Sequence, residues 1–147
     1  MPNTIRLHRV LNAPPERVYR AFLDPLALAK WLPPDGFVCQ VLEQHAVVGG
    51  GYRMAFVNFS GGQKHEFGGR YLELVPGERV RYSDRFDDPN LSGEMITTIT
   101  LAPLSCGADL TIVQQGIPDA IPPENCYLGW QQSLRQLAAL VEPDIPG

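Results

Sequence analysis

Cysteine is scarce in this chain: Cys39, Cys106 and Cys126 are the only three, odd in number, far apart and free of any CxxC spacing. That excludes a disulfide framework and a cysteine zinc site, and leaves small buried or half-buried thiols as the expectation. Histidine is as sparse, with His8, His45 and His65. His65-Glu66 lacks the second histidine that a zincin helix places four residues on, because position 69 is glycine, and it falls in strand-like sequence. A surface or cavity-mouth pair is expected, with His65 kept as a candidate acid–base group. Neither a metal site nor a cofactor is expected.

Positive charge is in deficit too. Twelve Lys and Arg against sixteen Asp and Glu give a net charge of -4, which offers no basic footprint for nucleic acid. No apolar run approaches the length that spans a bilayer. Met1 to Val10 interleaves Asn3, Arg6, His8 and Arg9 with its apolar residues, so it lacks the apolar core of a signal peptide. The expectation is a cytoplasmic protein with no membrane span. The acidic stretch Asp84, Asp87, Asp88, Asn90 and Glu94 has Phe at 86 and no glycine at the sixth place of a calcium loop, and reads as a solvated turn. Gly49-Gly50-Gly51 and Gly61-Gly62-Gln63-Lys64 open no helix, so they are hairpin punctuation and not phosphate loops. No serine or cysteine has a base and an orienting acid beside it in sequence. No internal repeat or linker marks a second domain, and 147 residues suffice for one domain, 1–147, with its own core.

What the chain does have is a strong helical period at its end. From Pro123 to Glu142, Tyr127, Trp130, Leu134, Leu137 and Val141 recur at steps of three and four, one face of a helix. Near the start, Pro14-Pro15-Glu16 opens a short helix with proline and an acid in its first turn, and Val18, Ala21 and Phe22 form its apolar face. Asp24-Pro25 reads as an N-cap with proline at the first helical position, opening a second short helix through Trp31 that Pro33-Pro34 ends. Thr4 to Leu11 alternates as a first strand. From Phe37 the period is two, with strands expected over 37–48, from Tyr52, 65–75, 80–86, 94–101 and 108–115, joined by short turns. Short connections favour sequential antiparallel pairing. The long helix, some 30 Å at 1.5 Å per residue, is therefore expected to lie across an antiparallel sheet.

Several phrases stand in a telling order: Ala13-Pro14-Pro15-Glu16-Arg17-Val18-Tyr19-Arg20-Ala21-Phe22, Trp31-Leu32, Gly49-Gly50, Gly69-Arg70-Tyr71-Leu72-Glu73-Leu74, and Gly129-Trp130 with Leu134 and Leu137. Together they resemble the START-like helix-grip (SRPBCC) superfamily, in the branch similar to the C-terminal domain of the heat-shock chaperone ATPase activator (AHSA-type). The resemblance covers almost the whole chain. It implies an α+β helix-grip fold, a curved sheet of about seven antiparallel strands wrapped around the C-terminal helix, with two short helices after the first strand and an apolar cavity between helix and sheet. It also implies lipid or hormone carriers, polyketide cyclases or dehydratases, and stress-associated proteins, with no fixed catalytic signature. The leading expectation is a carrier or sensor, its rivals a cyclase- or dehydratase-like enzyme and a stress-related chaperone-interaction module; the 147 residues leave no room for the separate chaperone-binding domain of the namesake, so a chaperone partner is not the expected one. The expected partner is a small apolar or aromatic molecule, and a homodimer is left open.

Strand alternation assigns inward rows: Val80, Tyr82, Asp84 and Phe86; Tyr52, Met54, Phe56 and Asn58; Met95, Thr97, Ile99 and Leu101; Leu110, Ile112 and Gln114. Asn58, Asp84, Thr97 and Gln114 are the polar members, and a buried polar group needs a partner. A cavity with a few placed polar groups is the usual make-up of a small-ligand site. Asp84, facing such a cavity, is the candidate acid, base or ligand anchor. Trp31, Phe56, Tyr82, Met95, Trp130 and Leu134 are the apolar residues expected around the ligand, and the resemblance also implies a lining aromatic at Trp130.

Overall fold

The computed structural model describes residues 2–147; Met1, the first residue of the N-terminal stretch considered above, lies outside the described residues. Strand β1 (Asn3–Leu11) leads into helices α1 (Pro15–Ala21) and α2 (Pro25–Trp31). Six strands follow: β2 (Phe37–Gln44), β3 (Gly51–Asn58), β4 (Lys64–Val75), β5 (Arg79–Phe86), β6 (Met95–Leu104) and β7 (Gly107–Ile117). The chain closes with α3 (Pro123–Val141). All seven strands join one antiparallel sheet in the order β1-β7-β6-β5-β4-β3-β2. Short turns can join only neighbours, so β2 to β7 form a meander. The two helices carry the chain from β1 at one edge to β2 at the other. This is the helix-grip α+β fold.

Local chemistry sets the boundaries. The Asp24 carboxylate accepts the Leu26 N–H at 2.9 Å and the Ala27 N–H at 3.4 Å, satisfying two of the first-turn donors of α2. Strand β2 stops at Gln44, four residues short of the expected Val48, because the segment folds on itself: Val47 N–H donates to the His45 carbonyl and Gly50 N–H to the Val47 carbonyl, each at 2.8 Å. A Cβ on Gly50 would stand 2.1 Å from the His45 oxygen, so only glycine closes this turn. At the other end of the sheet β6 and β7 run longer than expected and pair up to Leu104 and Gly107, across a turn of Ser105 and Cys106. Cys106 is consequently exposed, unlike the buried or half-buried thiol expected; Cys39 is buried and Cys126 half-buried.

The inward alternation holds where it was read, with Tyr52, Met54, Val80, Met95, Thr97, Ile99, Leu101, Leu110 and Ile112 all buried. Helix α3 buries Leu134, Leu137, Ala138 and Val141 against α1, α2 and β1. Tyr127, expected on that stripe, stays exposed instead, its hydroxyl accepting the Arg6 backbone N–H at 3.4 Å over the sheet edge. The C-terminal half of the helix is clamped at two levels. Arg17 of α1 donates to the Val141 carbonyl at 3.0 Å, satisfying a carbonyl of the last turn. Farther up, Ser133 Oγ donates to the Leu32 carbonyl at 2.7 Å and Gln136 Nε2 to the Pro33 carbonyl at 2.8 Å. Arg135 grips both oxygens of Asp35, at 2.8 and 2.7 Å. The segment after α2 is thereby held onto α3, beside the mouth of the space described next.

Candidate functional site

Clamping α3 on α1, α2 and β1 leaves room between its first turns and the middle of the sheet. A cavity of about 330 Å³ lies there, partly open to solvent. Strand β3 contributes Tyr52, Met54 and Phe56, β4 Phe67 and Tyr71, and β5 Tyr82, Asp84 and Phe86. Helix α3 closes the opposite wall with Asn125, Cys126, Gly129, Trp130 and Ser133, while Leu28, Leu32 and Pro34 form one side. Gly129 matters because its missing side chain is space: a Cβ built there would meet no heavy atom within 4 Å.

The aromatic rings on the cavity wall pack closely, Phe56 on Phe67 and Tyr52 on Tyr82 edge to face and Tyr52 on Tyr71 tilted. Phe56 and Phe67 have centroids 4.8 Å apart at 72°, and Tyr52 stands 6.0 Å from Tyr82 at 88° and 5.5 Å from Tyr71. Such rings form a stiff wall, since quadrupole geometry and packing hold each in place. The Gln44 amide donates to the Tyr71 hydroxyl at 2.8 Å and to the Leu23 carbonyl at 2.7 Å. On the far side a relay spans three elements: Trp130 Nε1 donates to Gln114 Oε1 at 3.2 Å, and Gln114 Nε2 donates to Thr97 Oγ1 at 3.2 Å. The relay fixes the indole against the sheet, so the cavity wall on α3 is held by the polar residues of β6 and β7.

Asp84 is the one charged side chain on the cavity wall. Its surroundings are apolar, and burial pushes its carboxyl up to about 7, against smaller opposing effects of hydrogen bonds from the Tyr52 hydroxyl and the Arg85 backbone N–H. Tyr52 reaches two acceptors with one proton, the Ser83 carbonyl at 2.7 Å and Asp84 Oδ1 at 3.1 Å. The hydroxyl proton is shared between them, and the bond it gives Asp84 favours the ionised carboxyl without offsetting the effect of burial. Burial raises Tyr52 strongly, with the Asp84 charge adding to it, and it raises Tyr82, where a hydrogen bond with Thr97 works in the other direction. The Cys126 thiol on α3 is also pushed up by burial.

Of the residues expected at a ligand site, the structure brings Phe56, Tyr82, Asp84, Gln114 and Trp130 to the cavity. Thr97 lies one bond behind Gln114 and is fully buried. Trp31 is elsewhere: it is fully buried, its Nε1 donates to the Ala21 carbonyl at 2.8 Å, and its ring packs on Phe22 at 4.8 Å. Leu134 packs in the main core, and Met95 in a second cluster with Ile5 and Ile117. Asn58 points to its own turn, accepting from Ser60 and Gly61 N–H at 3.0 and 3.2 Å. His65 is exposed at the start of β4, 6.2 Å from Phe37, and takes no part in the cavity wall. In the acidic stretch Asp87 pairs with Arg53 and Asp88 accepts the Asn90 N–H at 2.9 Å, as in an ordinary turn. Among the described residues no three His, Cys, Asp or Glu side chains converge as metal ligands would.

Phe67, Tyr71, Cys126 and Gly129 are cavity residues that sequence reasoning did not single out. Phe67 and Tyr71 had a usable signal, because they alternate on β4 in register with Met54 and Tyr82. Gly129 carried another: a glycine inside a strongly periodic helix costs stability unless its lack of a side chain is used.

The family model described as activator of Hsp90 ATPase homolog 1-like protein (AHSA1) matches residues 12–142. Protein CV1439 of Chromobacterium violaceum, known from a crystal structure, is 84% identical, with a TM-score of 0.96 over 98% of this chain and 100% of that one. The AHSA1 protein of Silicibacter pomeroyi is 25% identical, with a TM-score of 0.81 over 93% of this chain and 96% of its own. A Rhodobacter sphaeroides protein shares the fold at 21% identity and a TM-score of 0.82, over 95% of each chain. No curated protein matches the sequence.

Proposed function

This chain belongs to the activator of Hsp90 ATPase homolog 1-like family of START-like domains, and from that premise and its cavity we propose that it binds a small, largely apolar molecule beneath α3, as a carrier or sensor. The cavity carries this reading. Its volume of about 330 Å³ falls within the range typical of small-ligand pockets, as does a wall of aromatic and aliphatic groups with few polar ones. The Hsp90 activation in the family's description belongs to the namesake, and no feature of the cavity depends on a chaperone.

A thermal-shift screen with apolar and aromatic compounds tests it. A ligand that binds only the folded state stabilises it by roughly 2.7 kcal/mol at a hundred times its Kd. Gly129→Phe projects a ring into space that meets no neighbour at its Cβ, so the variant is expected to fold and to lose the ligand-induced shift. A Gly129→Phe protein that responds like the wild type would move the site elsewhere.

One observation favours a second reading, an enzyme of the cyclase or dehydratase kind. Asp84 is poised to exchange a proton near neutral pH, with the Tyr52 hydroxyl beside it. On that reading Asp84→Asn retains binding and stops turnover, and unchanged turnover rejects Asp84 as the acid or base.

A further inference from the structure

We propose that the cavity selects lipophilic cations, an amine or ammonium group carried on an apolar ring-bearing body, with Asp84 as the counter-ion. This rests on the binding reading above and names its ligand class. The charge inventory of the cavity comes first. Among the described residues no lysine, arginine or histidine lies on its wall, and the one residue there that carries charge on ionising near neutral pH is an acid. A fatty acid or phosphate ester would bring an anion that no cation on the wall offsets, and an unpaired charge in apolar surroundings is strongly disfavoured. An amine finds a partner.

The rings around Asp84 point the same way. Tyr52, Tyr71 and Tyr82 cluster with centroid separations of 5.5 and 6.0 Å and planes at different angles. The face of a tyrosine ring attracts a cation through its quadrupole and holds an anion poorly, and these three rings line the same cavity as the carboxyl. The Tyr52 proton is shared between the Ser83 carbonyl and Asp84. An ionised Asp84 is thus met by neutral donors, this hydroxyl and the Arg85 backbone N–H, and a cationic ligand adds the compensating charge. Uptake then becomes an exchange: the carboxyl proton leaves to solvent, the cation takes its place, and the charge of the cavity stays the same.

The titratable groups that share the cavity wall with Asp84 allow this exchange to be read cleanly. They are Tyr52 on β3, Tyr71 on β4, Tyr82 on its own strand and Cys126 on α3, all raised by burial. The other packed elements present neutral side chains, Phe22, Leu28, Met95, Thr97 and Gln114 among them, and the Arg85 side chain is exposed on the opposite face of β5. Asp84 is thus the group in the cavity expected to change charge between mildly acidic and mildly basic pH.

Isothermal titration with three near-isosteres tests the inference: 2-(2-naphthyl)ethylamine, 2-(2-naphthyl)ethanol and 2-naphthylacetate. At about pH 8 the amine is expected to bind roughly tenfold tighter than the alcohol, and the acid weakest. Lowering the pH to about 5.5 is expected to weaken the amine by roughly tenfold while leaving the alcohol unchanged, since only the amine must displace a proton. Asp84→Asn is expected to remove both effects and keep the alcohol within roughly threefold of wild type. Acetate binding as tight as the amine, or an amine preference that survives Asp84→Asn, overturns the charge selection and leaves the binding reading standing. Failure of all three compounds to bind the wild type overturns both. Should Asp84→Asn not fold, the wild-type series and its pH dependence decide alone.

Discussion

At the scale of single residues the protein concentrates its polar cost at Asp84. A carboxyl raised from an ordinary 3.8 to about 7 binds its proton more tightly in the folded chain than in the unfolded one. Between those two values the folded state keeps a proton that the unfolded state has released, so stability falls as pH rises through that window and levels off above about 7. Asn at position 84 cannot ionise. Asp84→Asn is therefore expected to be more stable than wild type at about pH 8, by ~2 kcal/mol, with the gap closing toward about pH 4. Urea melts at the two pH values check this, and a gap that widens toward acid would contradict the assignment of Asp84 as a neutral, buried acid. Tyr71, Gln114, Trp130 and Ser133 on the cavity wall all have hydrogen-bond partners, as the Trp130–Gln114–Thr97 relay illustrates. Asp84 is thus the residue left with chemistry to offer.

At the scale of elements, two glycines make opposite predictions for the same substitution. Gly69 lies in β4 where that strand approaches β5 closely, and a Cβ there would stand 1.9 Å from the Ser83 carbonyl oxygen. Gly69→Ala must push the two strands apart beside the Tyr52–Ser83 hydrogen bond, and is expected to cost ~2–4 kcal/mol. Gly129 lies inside α3 with nothing within 4 Å of its would-be Cβ. Gly129→Ala is expected to raise stability by ~1 kcal/mol, the ordinary helix-propensity difference. Paired thermal melts check both signs, and a destabilised Gly129→Ala would mean the helix is not free to accept a side chain there. The contrast separates a glycine needed for backbone approach from one whose empty side chain enlarges a cavity. Helix α3 forgoes propensity at that point because its clamps to α1 and to the segment after α2 hold it in place.

At the scale of the whole molecule, the cavity is a consequence of topology. Helix α3 contacts β1, α1 and α2, so its first turns stand off from the central strands, and the rings of β3, β4 and β5 line the gap. Element order, the two short helices and the antiparallel meander were legible in the sequence, because proline, glycine and apolar period are local signals. So was the inward row holding Tyr82 and Asp84. Trp31, Met95 and Leu134 were read as cavity residues from their apolar bulk, with strand alternation added for Met95 and helical period for Leu134. Bulk marks burial, and burial against other side chains looks the same in sequence as burial against empty space. Asn58 lies on a row expected to face the helix, yet its side chain accepts from the backbone of its own turn, and alternation says nothing about position along a strand; His65, expected at the surface or the cavity mouth, is exposed. By itself the sequence determined which face of each element is apolar, the kind and order of the elements, and that one carboxyl stands on an inward row. Only the tertiary structure decided which of those inward residues border open space, because that depends on the height at which α3 is clamped above the sheet, a long-range distance that no local period encodes.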